Sequence, residues 1–322
     1  MMAKTRTAAV ALAFAAAACS GSAPDSEVDA GSDTQVAAEV DAVAEADALV
    51  VFTTNYPLAY FAERIGGERV RVEFPAPPGI DPAYWTPPAD VISAYQGADL
   101  ILLNGAGYEG WVSKTSLPES KLVNTSSGFE ELYVVAEEAV VHTHGPEGEH
   151  EHENVAFTTW LDPQLAIEHA RAIRDVLAER LPGSEAELQA GFEALEADLT
   201  ELDGRLEAWA AGLSGQPLLA SHPVYQYLAR RYELNLKSVH FFEPDEAPTA
   251  DAWRDLAALM QGHSADWMLW EGPPLDEMSA RLAGDFGVGS VVFAPTGNRP
   301  ASGDYLDAMR VNVEALEALP AS

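Results

Sequence analysis

Four of the chain's eight histidines lie within twelve residues, at His142, His144, His150 and His152, interleaved with Glu147, Glu149, Glu151 and Glu153. Imidazole nitrogen and carboxylate oxygen are both ligands for borderline divalent metals, Zn²⁺ above all. A short His-rich tract of this composition reads as metal capture. Nothing in it fixes a ligand geometry, so the capture is expected to be weak; the alternative is a solvated polar loop. Outside the tract, His222 directly follows Ser221. Sequence neighbours give no nucleophile–base geometry, and no acyl- or phosphoryl-transfer motif is present, so an enzyme is not expected. His169 falls inside a helical stretch and is read as a surface or hydrogen-bonded structural residue.

The charge balance fits cation chemistry. The 322 residues carry 51 Asp and Glu against 18 Lys and Arg, a net charge of −33. Nucleic acid is excluded as a partner, because neutralising phosphate needs a basic surface. An acidic surface attracts cations, although an acidic proteome would produce the same balance. Apolar residues make up 48% of the chain, enough for a sizeable core in two domains. No internal run is long enough to span a bilayer.

The single cysteine, Cys19, excludes an intramolecular disulfide. Lys4 and Arg6 precede an alanine-rich apolar run over residues 8–18, the layout of a secretory signal peptide. Cys19 stands where that run ends. This resembles the bacterial lipoprotein signal, with Ala16 where that pattern prefers leucine. Removal of residues 1–18 and lipidation of Cys19 are therefore expected, which would attach the chain to a membrane. Residues 19–48 are small, polar and acidic, and are expected to form a flexible tether.

Those groups need a scaffold. Residues 49–183 alternate strand and helix: strands are predicted at 49–52, 70–74 and 99–103, helices at 57–65 and 89–96. A proline-rich segment, 75–88, must be a shaped loop. A short strand is predicted to end near Thr158, followed by a helix to Leu181. Residues 184–212 read as one long helix with Leu188, Phe192, Leu195, Leu199, Leu202, Leu206 and Trp209 on a single stripe. Ser184 and Glu187 are expected to form a capping box at its start. Strand and helix alternate again over 213–322. The predicted fold class is α/β: two similar lobes with parallel sheets, 49–183 and 213–322, joined by one backbone helix, with a ligand cleft between them.

The chain resembles the solute-binding proteins of metal-ion ABC importers, of the zinc and manganese type. The resemblance covers residue 49 to the C-terminus. It is carried by Gly79-Ile80-Asp81-Pro82, by Ala98 through Gly105 with Glu109 and Trp111, and by the His-rich loop in its place. Trp160-Leu161-Asp162-Pro163, His222 with Tyr225 and Tyr227, Glu271-Gly272-Pro273, and Tyr305 with Met309 and Asn312 complete it. The resemblance implies an extracytoplasmic binding lipoprotein, monomeric, delivering a divalent metal or metal complex to a membrane permease.

It also implies a metal held by three histidines and one acidic residue. Three of those positions differ here. Ala83 stands at the first histidine, Thr158 at the second and Ala294 at the acidic ligand; His222 alone is retained. One histidine cannot hold a metal tightly, so bare Zn²⁺ or Mn²⁺ is expected to bind more weakly than in relatives. Glu271 and His240 are possible replacement ligands, with Glu243 and Asp245 on the same second-lobe loop as His240. Tyr84, Trp85 and Trp160 are expected to line the cleft with Ala83, Thr158 and Ala294. A diverged protein that uses this cleft for a small organic ligand or a partner is the alternative.

Overall fold

The computed structural model describes residues 48–135, 155–239 and 242–319. Cys19, His142, His144, His150, His152 and His240 lie outside these residues, as do the signal segment and nearly all of the tether.

The first lobe is built on β1 (Leu49–Thr53), β2 (Val70–Glu73), β3 (Leu100–Leu103) and β4 (Leu122–Asn124), with α1 (Tyr56–Gly66), α2 (Ala89–Gly97) and α3 (Pro163–Arg180). Its four strands are all parallel, in the order β2-β1-β3-β4. After the long helix α4 (Glu185–Leu213), the second lobe repeats the plan. It contains β5 (Leu218–Ala220), α5 (Gln226–Arg231), β6 (Leu236–Ser238) and α6 (Ala250–Met260), followed by β7 (Trp267–Trp270), α7 (Asp276–Arg281), β8 (Gly289–Val292) and α8 (Tyr305–Glu317). Its sheet is again all parallel, ordered β6-β5-β7-β8. The central strands are buried apolar runs, as parallel sheets covered on both faces require: Leu100, Ile101 and Leu102 are fully buried, and so are Met268, Leu269 and Trp270. Each sheet reverses its strand order between its first and third strand, where loops leaving the strand ends diverge and open a crevice.

Helix α4 buries Leu188, Phe192, Leu195, Leu199, Leu202 and Leu206 on one stripe. That stripe lies against α1, α3 and α8. Gly191 sets how closely α4 approaches α1. A Cβ there would sit 2.8 Å from the carbonyl oxygens of Arg64 and Ile65, a contact no side chain tolerates. Helix α8 crosses to the first lobe, placing Tyr305 against the rings of Tyr60 and Phe61 at 5.6 and 5.2 Å.

Two local expectations fail. The capping box does not form. Ser184 takes φ −103°, ψ 5°, not the extended backbone a capping side chain needs, and its hydroxyl makes no cap bond. Glu187 instead pairs with Arg69 at 3.0 Å, while Glu185 accepts the Gly183 N–H at 3.1 Å. No strand ends at Thr158 among the described residues: Val155 makes a single antiparallel bridge to Val135. Thr159–Leu161 is a 3₁₀ turn. Asp162 then caps α3 by accepting the Gln164 N–H at 3.0 Å.

Candidate cation-binding cleft

Loops from the carboxyl ends of six strands converge on one cavity of about 590 Å³ between the lobes. The loop after β2 brings Asp81 and Tyr84, and the loop after β3 brings Tyr108. From the second lobe come His222 after β5, Glu243 after β6, Glu271 after β7 and Ala294 after β8. Phe157, Thr158 and Trp160 enter from the segment before α3. The strand ladders fix these loops. The Ser221 N–H donates to the Leu269 carbonyl at 2.9 Å, holding Ser221-His222 beside β7, and the Phe293 N–H donates to Trp270 at 2.8 Å. Asn312 of α8 then clasps the Ala294 backbone from both sides, at 2.9 and 2.8 Å.

His222 is 9% exposed, and its two ring nitrogens face different carboxylates. Nε2 lies 2.9 Å from Glu243 Oε1 and Nδ1 lies 3.3 Å from Glu271 Oε1. Burial, with the charges of Asp81 and Glu243, pushes the Glu271 carboxyl up to about 7. The two nitrogens sit on different edges of the imidazole, so the carboxylates do not converge on one point. A metal at either nitrogen meets one protein nitrogen and one protein carboxylate. Consistently, no group of three or more His, Cys, Asp or Glu side chains is positioned to hold a metal among the described residues.

The other residues singled out in the sequence divide. Tyr84, Thr158, Trp160 and Ala294 line the cavity. Ala83 and Trp85 do not; they pack against the main core. A tight turn, in which Asp81 accepts the Ala83 N–H at 2.9 Å, separates Tyr84, on the cavity, from Ala83 and Trp85, on the core. Asp245 is exposed and is not part of the lining. Thr158 is engaged across the cleft, donating to the Val224 carbonyl at 2.5 Å. Trp160 does likewise, its indole N–H donating to the Pro295 carbonyl at 2.7 Å. Both side chains therefore tie the lobes together as well as lining the space between them. His169 is fully buried, bridging Thr125 at 2.7 Å and Thr159 at 2.8 Å; burial pushes it down to about 3, so it stays neutral.

Of the aromatic wall, sequence reasoning named Tyr84 and Trp160 and missed Tyr108 and Phe157. Tyr108 packs edge-on against Phe157 at 5.3 Å and Trp160 at 5.7 Å, and Tyr84 meets Phe157 at 6.3 Å. The signal was available for Tyr108, which follows the Asn104-Gly105-Ala106-Gly107 turn at the carboxyl end of β3.

That turn is held by Glu109, which accepts from the N–H of Asn104 at 2.5 Å and of Gly105 at 3.2 Å, and from the Thr54 hydroxyl at 2.5 Å. Burial outweighs these bonds and pushes its carboxyl up from 4.5 to about 7. The unfolded chain ionises this group near 4.5, while the folded chain keeps its proton until about 7. The native state thus binds the extra proton, and stability falls by up to about 3 kcal/mol as pH rises through that window. Glu109→Gln should flatten this part of the profile of thermal midpoint against pH. Parallel profiles for the two proteins would show that Glu109 does not carry the dependence.

Residues 51–319 match the family model described as ZnuA, zinc-uptake complex component A, periplasmic. The zinc-binding lipoprotein AdcA of Streptococcus pneumoniae R6 is 27% identical over 281 residues, covering 84% of this chain and 55% of AdcA. The high-affinity zinc uptake system protein ZnuA of Bacillus subtilis 168 is 25% identical over 289 residues, covering 84% and 87%. The chain thus spans about half the length of the AdcA relatives it matches. Among solved structures, the metal-dependent lipoprotein YcdH of B. subtilis superposes with a TM-score of 0.72 at 23% identity, covering 84% of this chain and 98% of that one. Zn(II)-bound AdcA of S. pneumoniae gives 0.68 at 24%, covering 84% and 57%. These likenesses establish the two-lobed fold.

Proposed function

The chain belongs to the family of periplasmic zinc-uptake complex A components, and on that premise we propose that it is the extracytoplasmic solute-binding component of a metal-type ABC importer. Its cargo is a divalent metal of the zinc class, handed to a membrane permease. One observation carries this reading: the loops of both lobes meet at a cavity where a buried histidine stands between two carboxylates. His222 supplies the nitrogen ligand and Glu271 or Glu243 the oxygen. His240 is a further candidate ligand. The His-rich tract, His142 to His152, acts upstream as a weak collector. We assign no catalytic role.

A second reading, an organic ligand with no metal, is favoured by the aromatic wall of Tyr84, Phe157, Tyr108 and Trp160. Cellular zinc uptake separates the two. Cells lacking this chain should take up less radiolabelled zinc from chelator-limited medium, with uptake restored by the intact gene and not by His222→Ala. Undiminished uptake without the chain would refute the importer reading.

We also propose that Cys19 carries a lipid, tethers the monomer to the membrane surface and becomes the first residue of the mature chain. Mass spectrometry of the mature protein should give a lipid-modified N-terminal Cys19. An unmodified Cys19, or cleavage elsewhere, would overturn the tether.

A further inference from the structure

The cavity is larger than a bare ion needs, and furnished differently. At about 590 Å³ it falls in the range of small-molecule sites, roughly 300–1,000 Å³. A zinc ion with its ligand atoms about 2.1 Å away fills a small part of such a space. His222 with Glu243 or Glu271 completes only half of a four-coordinate shell.

Tyr108 points to what supplies the rest. It is 2% exposed and lines the cavity, and its hydroxyl finds no hydrogen-bond partner among the described residues. Burial holds the phenol well above its ordinary pKa, so it keeps its proton and stands as a donor. A buried polar group left without a partner costs about 1–3 kcal/mol, and a metal cation cannot accept its hydrogen. The ligand that suits this lining therefore has three parts. It brings a cationic centre for His222 and the carboxylates, an acceptor oxygen for Tyr108, and an organic body for the faces of Phe157 and Trp160.

Building on the metal-import reading above, we propose that the cargo is a divalent metal carried in complex with a small organic chelator bearing carboxylate groups. The chelator supplies the metal bonds that His222 and one carboxylate leave open. One of its oxygens accepts the Tyr108 hydrogen bond, and Arg299, also in the lining, offers a cation to a carboxylate.

The test is calorimetric titration of the full chain with ZnCl₂ alone, with zinc premixed with L-histidine, with zinc premixed with citrate, and with each compound free of metal. At least one complex should bind about tenfold or more tighter than bare zinc, a difference of about 1.4 kcal/mol. Tyr108→Phe, which keeps the packed ring, should lower the affinity for that complex by about tenfold, with the thermal midpoint confirming that the variant folds. The proposal is overturned if bare zinc binds as tightly as both complexes, if a metal-free compound binds as tightly as its complex, or if Tyr108→Phe has no effect. Retention of the cleft phase of zinc binding by His222→Ala, read beside a variant lacking residues 142–153, would instead refute the metal-import reading itself.

Discussion

His222→Ala should weaken zinc binding in the cleft at least about 100-fold, or about 2.7 kcal/mol. His222 is the residue that both Glu243 and Glu271 face, at 2.9 and 3.3 Å. Removing it leaves two carboxylates with no shared nitrogen ligand. The intact cleft should itself be modest towards bare zinc, with a Kd of about 1 µM or weaker, because each ring nitrogen is joined by only one protein oxygen. Weak sites in the His-rich tract would overlay this signal, so the titration is run on the intact chain and on a variant lacking residues 142–153. That deletion should remove the weak, low-pH-sensitive phase and leave the cleft phase and the apo thermal midpoint unchanged. A cleft Kd well below micromolar, lost in His222→Ala, would mean that Asp81, Glu243, Glu271 or His240 rebuilds a full coordination shell. An unchanged weak phase after the deletion would remove the tract from the mechanism.

Asp203→Ala should cost about 3 kcal/mol of stability, the lower end for breaking a buried ion pair, since Arg231 is partly exposed. Asp203 is a buried carboxylate on the backbone helix, 7% exposed. It accepts from Arg231 at 3.0 and 2.7 Å, from the Tyr232 hydroxyl at 2.8 Å and from Gln164 at 2.8 Å. Gln164 belongs to the first lobe and Arg231 and Tyr232 to the second, so one carboxylate joins both lobes to the helix between them. Burial opposes its charge, but the bonds from Arg231, Tyr232 and Gln164 prevail and hold the carboxyl below its ordinary 3.8. A depressed carboxylate stabilises the fold above its unfolded pKa and loses that contribution as pH falls through the folded value. The advantage of the native protein over Asp203→Asn should therefore shrink below about pH 4. For a chain of this size the alanine variant should lower the thermal midpoint by roughly 5 °C. A change under about 2 °C would show that the junction is held by apolar packing alone.

Much of the architecture was legible in residue order, because burial within one element leaves a periodic mark. The four-and-three spacing of Leu188, Phe192, Leu195, Leu199, Leu202 and Leu206 specified a long one-sided helix, and those six residues are buried. Runs such as Leu100-Ile101-Leu102 and Met268-Leu269-Trp270 marked strands covered on both faces. Their alternation with helices implied two parallel sheets. Motifs in order supplied the family.

The lining of the cleft was a different matter. Whether a loop side chain faces the cavity depends on turns without periodicity and on contacts between residues far apart in the chain. The Asp81 turn sends Tyr84 into the cavity and Trp85 into the core, although the two are neighbours. Phe157 and Tyr108, 49 positions apart, meet edge to face only because β3 and the segment before α3 end on the same side of the cleft. Glu243 and Glu271 reach His222 from two other strand ends. Ser184 and Glu187 carried the letters of a capping box, but the turn into α4 gave Ser184 the wrong backbone angles and Arg69 took the glutamate. Local sequence determined the elements, because their apolar periodicity is written in consecutive residues; tertiary structure decided the site, because the convergence of loop side chains is set by how the lobes pack.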